Sequence, residues 1–109
     1  MFVKVYRYRV QSGKEEEFLS IQERANRVYS KHIPFRAVFL RKLRDPAAWM
    51  EIHWYPDERI YRHGMDLVNS EPEISQLWEA FQGILDPDDS EIHEEYYDQI
   101  LVHQSIDTR

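Results

Sequence analysis

The sequence predicts an α+β fold in which helices cover one face of a four-stranded antiparallel sheet. Two kinds of pattern support this prediction. Segments in which apolar or aromatic residues alternate with polar ones indicate strands, and segments in which apolar residues recur every three or four positions indicate helices. Along the 109 residues these segments follow the order β-α-β-β-α-α-β. This is the order of a split βαβ, ferredoxin-like sandwich.

The first part of the chain is predicted to be a strand followed by a long helix. Residues 2–10 alternate and are rich in β-branched and aromatic side chains, which favours a strand. Residues 12–15 read Ser-Gly-Lys-Glu, and their Ser and Glu have the spacing of a helix capping box. Pro34 ends the helix that follows. Its apolar stripe consists of Phe18, Ile21, Ala25 and Val28, and ends at His32.

The rest of the chain is predicted to form a hairpin, two helices and a last strand. Turn residues 44–46, Arg-Asp-Pro, join the two strands of the hairpin. Asp57 can cap the next helix, and residues 70–73 form a second capping box ahead of another. The predicted elements are strands over residues 35–43, 47–55 and 92–103 and helices over residues 57–69 and 70–85.

Composition excludes several classes of protein and of site. The chain has no Cys, which excludes disulfides, thiolate metal sites and Cys nucleophiles. No Gly-rich phosphate loop occurs, and the five His lack the spacing of a metal site, so we expect neither a nucleotide cofactor nor a metal. The net charge of −6 disfavours nucleic acid as a partner. The longest apolar run, residues 37–40, is far shorter than the ~20 residues of a membrane span. We therefore expect one cytoplasmic domain over residues 1–109.

The predicted strands carry apolar residues on both faces of the sheet. We assign to the helix-facing side Phe2, Tyr6, Tyr8, Phe35, Ala37, Phe39, Met50, Ile52, Trp54, Tyr96 and Ile100. The opposite side then carries Val3, Val5, Val38, Leu40, Trp49, Tyr55, Tyr97 and Leu101, with Glu51 and other charges between them. An open sheet would have a polar second face. We therefore predict a homodimer that buries this second face; the alternative is a monomer.

Three segments of the sequence carry a resemblance to a known family. They are residues 2–18, with the Ser-Gly-Lys-Glu turn, residues 40–46, and residues 50–57, where a strand ending in Trp54 leads into a helix. In these segments the chain resembles the antibiotic biosynthesis monooxygenases, and the resemblance covers nearly the whole sequence. It implies a dimeric α/β barrel. Family members include cofactor-independent oxygenases of polyketide or quinol substrates and haem-degrading enzymes. Tyr6 stands where the haem-degrading members have Asn, so no cofactor is implied.

His63 and Tyr6 are the candidate catalytic residues. His63 falls on the predicted inward side of its helix with Ile60, Gly64 and Leu67, where an imidazole facing a pocket can exchange a proton near neutral pH. The alternative is a His that is hydrogen-bonded at the edge of the core. Tyr6 holds the first-strand position at which the resembling oxygenases often place a polar pocket residue; the alternative is core packing.

Four further residues are candidates for substrate binding. The phenols of Tyr8 and Tyr96 can orient an aromatic ligand by stacking and hydrogen bonding. Trp54 is expected in the core and along the pocket wall. Arg41 can hold an anionic oxygen of the ligand, or it can form an ion pair with Asp98.

The function predicted from the resemblance is that of a cofactor-independent monooxygenase-like protein. Its substrate is expected to be a small aromatic or quinol-type molecule in a pocket between sheet and helices. Such a substrate loses a proton and reacts with oxygen itself, so the protein has only to bind, orient and deprotonate it. Two alternatives stay open: a non-catalytic dimeric small-molecule-binding or stress-response protein, and a protein-interaction module that uses the acidic residues 86–95.

Overall fold

The computed structural model describes residues 1–106, and the last three residues of the predicted domain lie outside them. Within the described residues the four strands and three helices follow the predicted order, which confirms the α+β prediction. The elements are β1 (Phe2–Arg9), α1 (Glu15–Ser30), β2 (Arg36–Arg41), β3 (Ala48–Tyr55), α2 (Glu58–Asn69), α3 (Pro72–Gly83) and β4 (His93–Asp98).

The strands form one antiparallel sheet in the order β2-β3-β1-β4. β1 pairs with β3, from Phe2 opposite Tyr55 to Arg9 opposite Ala48, and pairs with β4 along its other edge. β1 and β3 are therefore the central strands, and β2 and β4 lie at opposite edges of the sheet. The helices cover one face, as the predicted ferredoxin-like sandwich requires.

Local signals explain where the helices begin. Asp57 caps α2 as predicted, because its Oδ1 accepts a hydrogen bond from the backbone N–H of Ile60 at 2.8 Å. The two predicted capping boxes do not form: the residues that precede α1 and α3 are Lys14 and Glu71, and neither caps its helix with its side chain. Gly13 has a φ of +83°, a left-handed conformation that turns the chain from β1 into α1.

Phe18 of α1 is the centre of an aromatic core between the helices and the sheet. Its side chain is 0% exposed. Four rings surround it at centroid distances of 4.6–6.4 Å, in tilted and edge-on contacts. They belong to Tyr8, Phe39, Trp49 and Phe81.

β3 presents to the helices the set of side chains opposite to the one predicted. Residues directly opposite each other in a sheet share a face. Four residues of β3 are buried and stand opposite Tyr8, Tyr6, Lys4 and Phe2 of β1; in the same order they are Trp49, Glu51, His53 and Tyr55. Met50, Ile52 and Trp54 therefore lie on the uncovered face. The prediction was wrong because both alternate sets of β3 contain large apolar residues.

α2 is rotated by one residue relative to the predicted stripe. Its buried residues are Tyr61, Gly64 and Val68. The close approach of α2 to the loop after α1 requires glycine at position 64, because a Cβ there would lie 2.2 Å from Cγ1 of Ile33. A shift of one residue turns a helix by about 100°. The neighbouring His63 is exposed as a result, so the expectation that it faces the interior was wrong.

The uncovered face of the sheet, here called the open face, is mainly apolar. Its apolar residues are Val3, Val5, Val38, Leu40, Met50, Ile52, Trp54 and Tyr97. Charges of both signs lie among them: Arg7 pairs with Glu95, and the guanidinium of Arg36 lies 4.7 Å from the centre of the Trp54 ring. The second face is thus apolar, as predicted, with a partly different set of residues.

The chain beyond β4 differs from the prediction. β4 ends at Asp98, whereas a strand was predicted as far as residue 103. The segment that follows carries exposed apolar side chains, which are Ile100, Leu101, Val102 and Ile106. None of the helices within residues 1–106 combines the length and the apolar character that crossing a membrane requires.

Candidate active site

A cavity of about 440 Å³ lies between the covered face of the sheet and the helices. Small-molecule sites commonly measure roughly 300–1,000 Å³. The sheet side of this cavity is polar and consists of Lys4, Tyr6, Tyr8, Glu51 and Glu94. The helix side is largely apolar and includes Ile21, Ala25, Tyr29, Met65, Ile74, Leu77, Trp78 and Phe81.

Strand register places the polar groups in two neighbouring rows on the covered face. The first row is Glu51, Tyr6 and Glu94, and the second is His53, Lys4 and Tyr96. Successive rows on one face are about 7 Å apart. Tyr6 therefore lies between two carboxylates, and Lys4 lies between an imidazole and a phenol.

Glu51 is the centre of a chain of buried hydrogen bonds. The hydroxyl of Tyr8 donates to Glu51 Oε1 at 2.7 Å, and Nε2 of His53 lies 2.5 Å from Glu51 Oε2. Nδ1 of His53 lies 2.7 Å from the hydroxyl of Tyr55. An ionised carboxylate only accepts hydrogen bonds, so we assign the proton to Nε2, and Nδ1 then accepts from Tyr55. Both oxygens of Glu51 are thus held by donors.

This chain can accept a proton from a bound molecule. Glu51 and Tyr8 line the cavity, whereas His53 and Tyr55 are buried behind them. A carboxylate with free lone pairs can accept a hydrogen bond from a ligand hydroxyl. Because the imidazole of His53 donates to the same carboxylate, it holds the carboxylate in place. The arrangement is that of a general base with a positioning partner.

The cavity phenols are neutral hydrogen-bond donors at physiological pH. Burial, with neighbouring phenols, raises the pKa of Tyr6 above its usual range, and burial and the charge of Glu51 do the same for the pKa of Tyr8. Burial raises the pKa of Tyr29 to about 12. The hydroxyls of Tyr6 and Tyr29 can therefore donate to a ligand oxygen, whereas the hydroxyl of Tyr8 already donates to Glu51.

Lys4 adds a buried ammonium group to the cavity wall. Its Nζ lies 3.0 Å from the hydroxyl of Tyr61, 2.9 Å from Oε1 of Glu94 and 4.6 Å from the centre of the Tyr6 ring. Burial opposes the charged form, but the hydrogen bonds to Tyr61 and Glu94 outweigh it and raise the pKa of Lys4 above its usual range. The group is thus a permanent positive charge at neutral pH.

Three predicted site residues lie at or near the cavity. Tyr6 and Tyr8 line it, in line with the expected orientation of β1. Tyr96 lies at its margin, with its ring 5.1 Å from Lys4 Nζ and stacked on Phe2, and it is 47% exposed.

The other three predicted site residues lie elsewhere. His63 is on the exposed side of α2, and Trp54 is on the open face. Arg41 pairs with Glu15 of α1 at 2.9 Å on the protein surface. The predicted pair of Arg41 and Asp98 was wrong, because the sheet order places β2 and β4 at opposite edges.

The sequence analysis did not identify the residues best suited to proton transfer and to binding a charged group, which are Glu51, His53 and Lys4. Glu51 and His53 alternate with Trp49 and Tyr55, so an aromatic residue flanks them at each end at a spacing of two. That pattern is a signal for polar groups buried on an aromatic face. The pattern shows which side of β3 is buried only when the register between β3 and β1 is known.

His32 and His93 each lie near a single carboxylate, at separate places in the fold. His32 Nε2 lies 2.9 Å from Glu71, and His93 Nε2 lies 3.8 Å from Glu91. Over residues 1–106, no group of three or more His, Asp or Glu side chains is arranged to hold a metal ion.

Comparison with known proteins gives matches at the level of structure. No model of a protein family matches the sequence, and no curated protein matches it significantly. SnoaB, a cofactor-independent oxygenase from Streptomyces nogalater, superposes with a TM-score of 0.72 at 17% identity, over 93% of this chain and 94% of that one. A putative antibiotic biosynthesis monooxygenase from Nitrosomonas europaea gives 0.70 at 12% identity, over 93% and 100%.

Another structure of the same fold carries a different description. An uncharacterised NIPSNAP domain protein from Burkholderia xenovorans matches with a TM-score of 0.69 at 15% identity, over 100% of both chains. Identities this low establish the fold alone. The chain therefore has the fold of the antibiotic biosynthesis monooxygenases, as the resemblance of its sequence predicted.

Proposed function

We propose that this protein is a cofactor-independent monooxygenase of small aromatic or quinol-type molecules. The observation that carries the proposal is the carboxylate of Glu51, which lines the cavity while Tyr8 and His53 hold its two oxygens. A buried, oriented carboxylate beside a ligand-sized space is suited to proton abstraction. The description of SnoaB, which shares the fold, as a cofactor-independent oxygenase supports the same reaction class.

The proposed chemistry needs little from the protein beyond a base and a shaped cavity. Glu51 removes the hydroxyl proton of an electron-rich phenol, and the phenolate carbon then reacts with dioxygen. One oxygen atom becomes a new ring carbonyl and the other leaves as water, so that a phenol becomes a quinone and dioxygen is the oxidant. The phenol of Tyr6 donates a hydrogen bond to a ligand oxygen, Tyr8 holds the carboxylate of Glu51 in place, and the apolar helix side packs on the ring.

Oxygen uptake by the purified protein tests the proposal. We expect phenols and quinols to be consumed with dioxygen faster than in buffer, without added cofactor and with a chelator present. Ala25→Phe, which places a ring in the cavity, is expected to lower the rate about tenfold or more, because misplaced substrates react slowly. Ala80→Phe, at an exposed position of α3, is the matched control and should keep the wild-type rate.

The result that would contradict the proposal is oxygen uptake no faster than in buffer across the whole substrate set. Saturable binding of the same compounds, blocked by Ala25→Phe, would then favour the non-catalytic small-molecule-binding protein. Loss of a protein partner after neutralisation of acidic residues 86–95 would favour the interaction module.

We further propose that two copies of the chain associate through the open face. Val3 and Val5 are already buried there, whereas Leu40 and Tyr97, on the edge strands of the same face, each remain 46% exposed. Contiguous apolar surface of this kind is usually covered by a partner. A second copy is favoured because the same face carries charges of both signs, such as Arg7 and Glu95, which a symmetric partner can match.

Native mass spectrometry with two matched leucine variants tests the dimer. Leu40→Asp puts a charge on the open face and is expected to raise the dimer dissociation constant about tenfold or more, because burying an unpaired charge is unfavourable. Leu43→Asp, in the turn after β2 and 82% exposed, should leave the dimer intact. A wild-type protein that is monomeric at micromolar concentration would refute the association.

A further inference from the structure

Lys4 is a buried cation that the proposed proton transfer does not use. It is 6% exposed and lines the cavity, two residues before Tyr6 on the same face of β1. A buried charge is retained where partners compensate the loss of hydration. Its partners are the hydroxyl of Tyr61 at 3.0 Å and Oε1 of Glu94 at 2.9 Å.

The two partners of Lys4 differ in how firmly they are held. Tyr61 is 4% exposed and packs against Phe2 and Tyr55, which fixes it in the core. The side chain of Glu94 is 49% exposed and lies on the edge strand β4. Glu94 can therefore leave for solvent and regain hydration, whereas Lys4 cannot follow it. Of the two partners of Lys4, it is therefore the Glu94 carboxylate that another anion can replace.

We propose that the Lys4 ammonium binds an anionic oxygen of the ligand, which replaces the Glu94 carboxylate found there in the free protein. The proposal rests on the cavity of the proposed function and narrows its substrate class to aromatic acids that also carry a ring hydroxyl. Charge-assisted hydrogen bonds of this kind are roughly twice as strong as neutral ones. The aromatic faces around Nζ, with Tyr6 nearest at 4.6 Å, add cation–π attraction that keeps the ammonium in place.

The spacing of the sheet agrees with such a ligand. Lys4 stands opposite His53 and Tyr6 stands opposite Glu51, so Lys4 and Glu51 are diagonal neighbours on one face. The Cα atoms of diagonal neighbours lie about 7–8 Å apart, so these two side chains border the same part of the cavity wall, where one substituted aromatic ring can contact both. The ammonium of Lys4 would donate to the acid group of the ligand, and the ligand hydroxyl would donate to Glu51 next to Tyr8.

Calorimetric titration with a hydroxynaphthoate and with the naphthol that lacks its carboxylate tests the proposal. Lys4→Met is expected to weaken hydroxynaphthoate binding about tenfold or more, with a change below about threefold for the naphthol. Glu94→Gln, which removes the competing carboxylate, is expected to strengthen hydroxynaphthoate binding. Lys14→Met, an exposed lysine on the loop before α1, is the control and should alter neither ligand.

The titrations are made under nitrogen, so the result does not depend on oxygen chemistry. Equal effects of Lys4→Met on both ligands, or no measurable binding of hydroxynaphthoate to the folded wild type, would overturn the proposal. Weaker hydroxynaphthoate binding by Glu94→Gln would also overturn it. Oxygen uptake by the wild type with neutral phenols tests the proposed function separately. Circular dichroism melting confirms that the variants are folded.

Discussion

We expect Glu51→Gln to lower the rate of oxygen uptake about 10²–10⁴-fold, the usual contribution of a general base. The variant keeps the shape of the side chain and removes its charge. The fold is expected to persist, because the network can reverse its direction. The amide oxygen still accepts from Tyr8, the amide N–H₂ donates to His53 Nε2, and the other tautomer of His53 donates to Tyr55.

Steady-state oxygen consumption, together with ligand affinity, checks this prediction. The affinity for a phenol should change by less than about threefold, so the loss appears in turnover rather than in binding. Glu79→Gln, at an exposed position of α3, is the control for removal of one negative charge. A Glu51→Gln protein that turns over at the wild-type rate would show that another group takes the proton.

We expect Phe18→Ala to lower the free energy of unfolding by about 3–5 kcal/mol, the usual cost of removing a buried Phe. The side chain is 0% exposed, and aromatic rings from three strands and α3 surround it, so the cavity left behind cannot collapse easily. A loss of this size should lower the melting temperature by at least about 10 °C.

The next residue along α1 provides the control. Leu19 is 45% exposed and lies about 100° around the helix from Phe18, so Leu19→Ala should cost less than about 1 kcal/mol. Urea unfolding followed by circular dichroism compares the two variants at equal protein concentration. Similar urea midpoints for Phe18→Ala and Leu19→Ala would show that the ring cluster around Phe18 does not make a large contribution to stability.

The order of the elements was predictable because each segment has a clear hydrophobic period. Which side of β3 is turned toward the helices was not predictable. Trp49 and Tyr55 fall on one side of the strand and Met50, Ile52 and Trp54 on the other, so hydrophobicity does not choose between the sides. Pairing with β1, a contact between segments about 45 residues apart, makes that choice. The side it selects carries Glu51 and His53, and the core of the candidate site went unrecognised for that reason.

The candidate site was predictable where a strand has one clearly aromatic side. Tyr6 and Tyr8 were placed correctly, because β1 alternates two tyrosines with arginines near its end. His63 was misplaced because the predicted stripe, which included Gly64, was centred on Ile60 and Leu67, whereas α2 is oriented with Tyr61, Gly64 and Val68 buried. Close backbone approach, rather than hydrophobicity, determines that orientation, and a single sequence does not display it.

On the sheet side of the cavity, every polar group except Glu94 is carried by β1 or β3, and each of these strands is hydrogen-bonded to a neighbour on both sides. Moving Glu51 or His53 relative to Lys4 would break hydrogen bonds along both edges of a strand. Their charges and dipoles are therefore oriented before any ligand arrives, and little reorganisation energy is required when a proton leaves its hydroxyl. Within residues 1–106, the helices on the other side of the cavity are not tied into the sheet by backbone hydrogen bonds. We therefore expect the helix side of the cavity to be the side that adjusts to ligands of different shape.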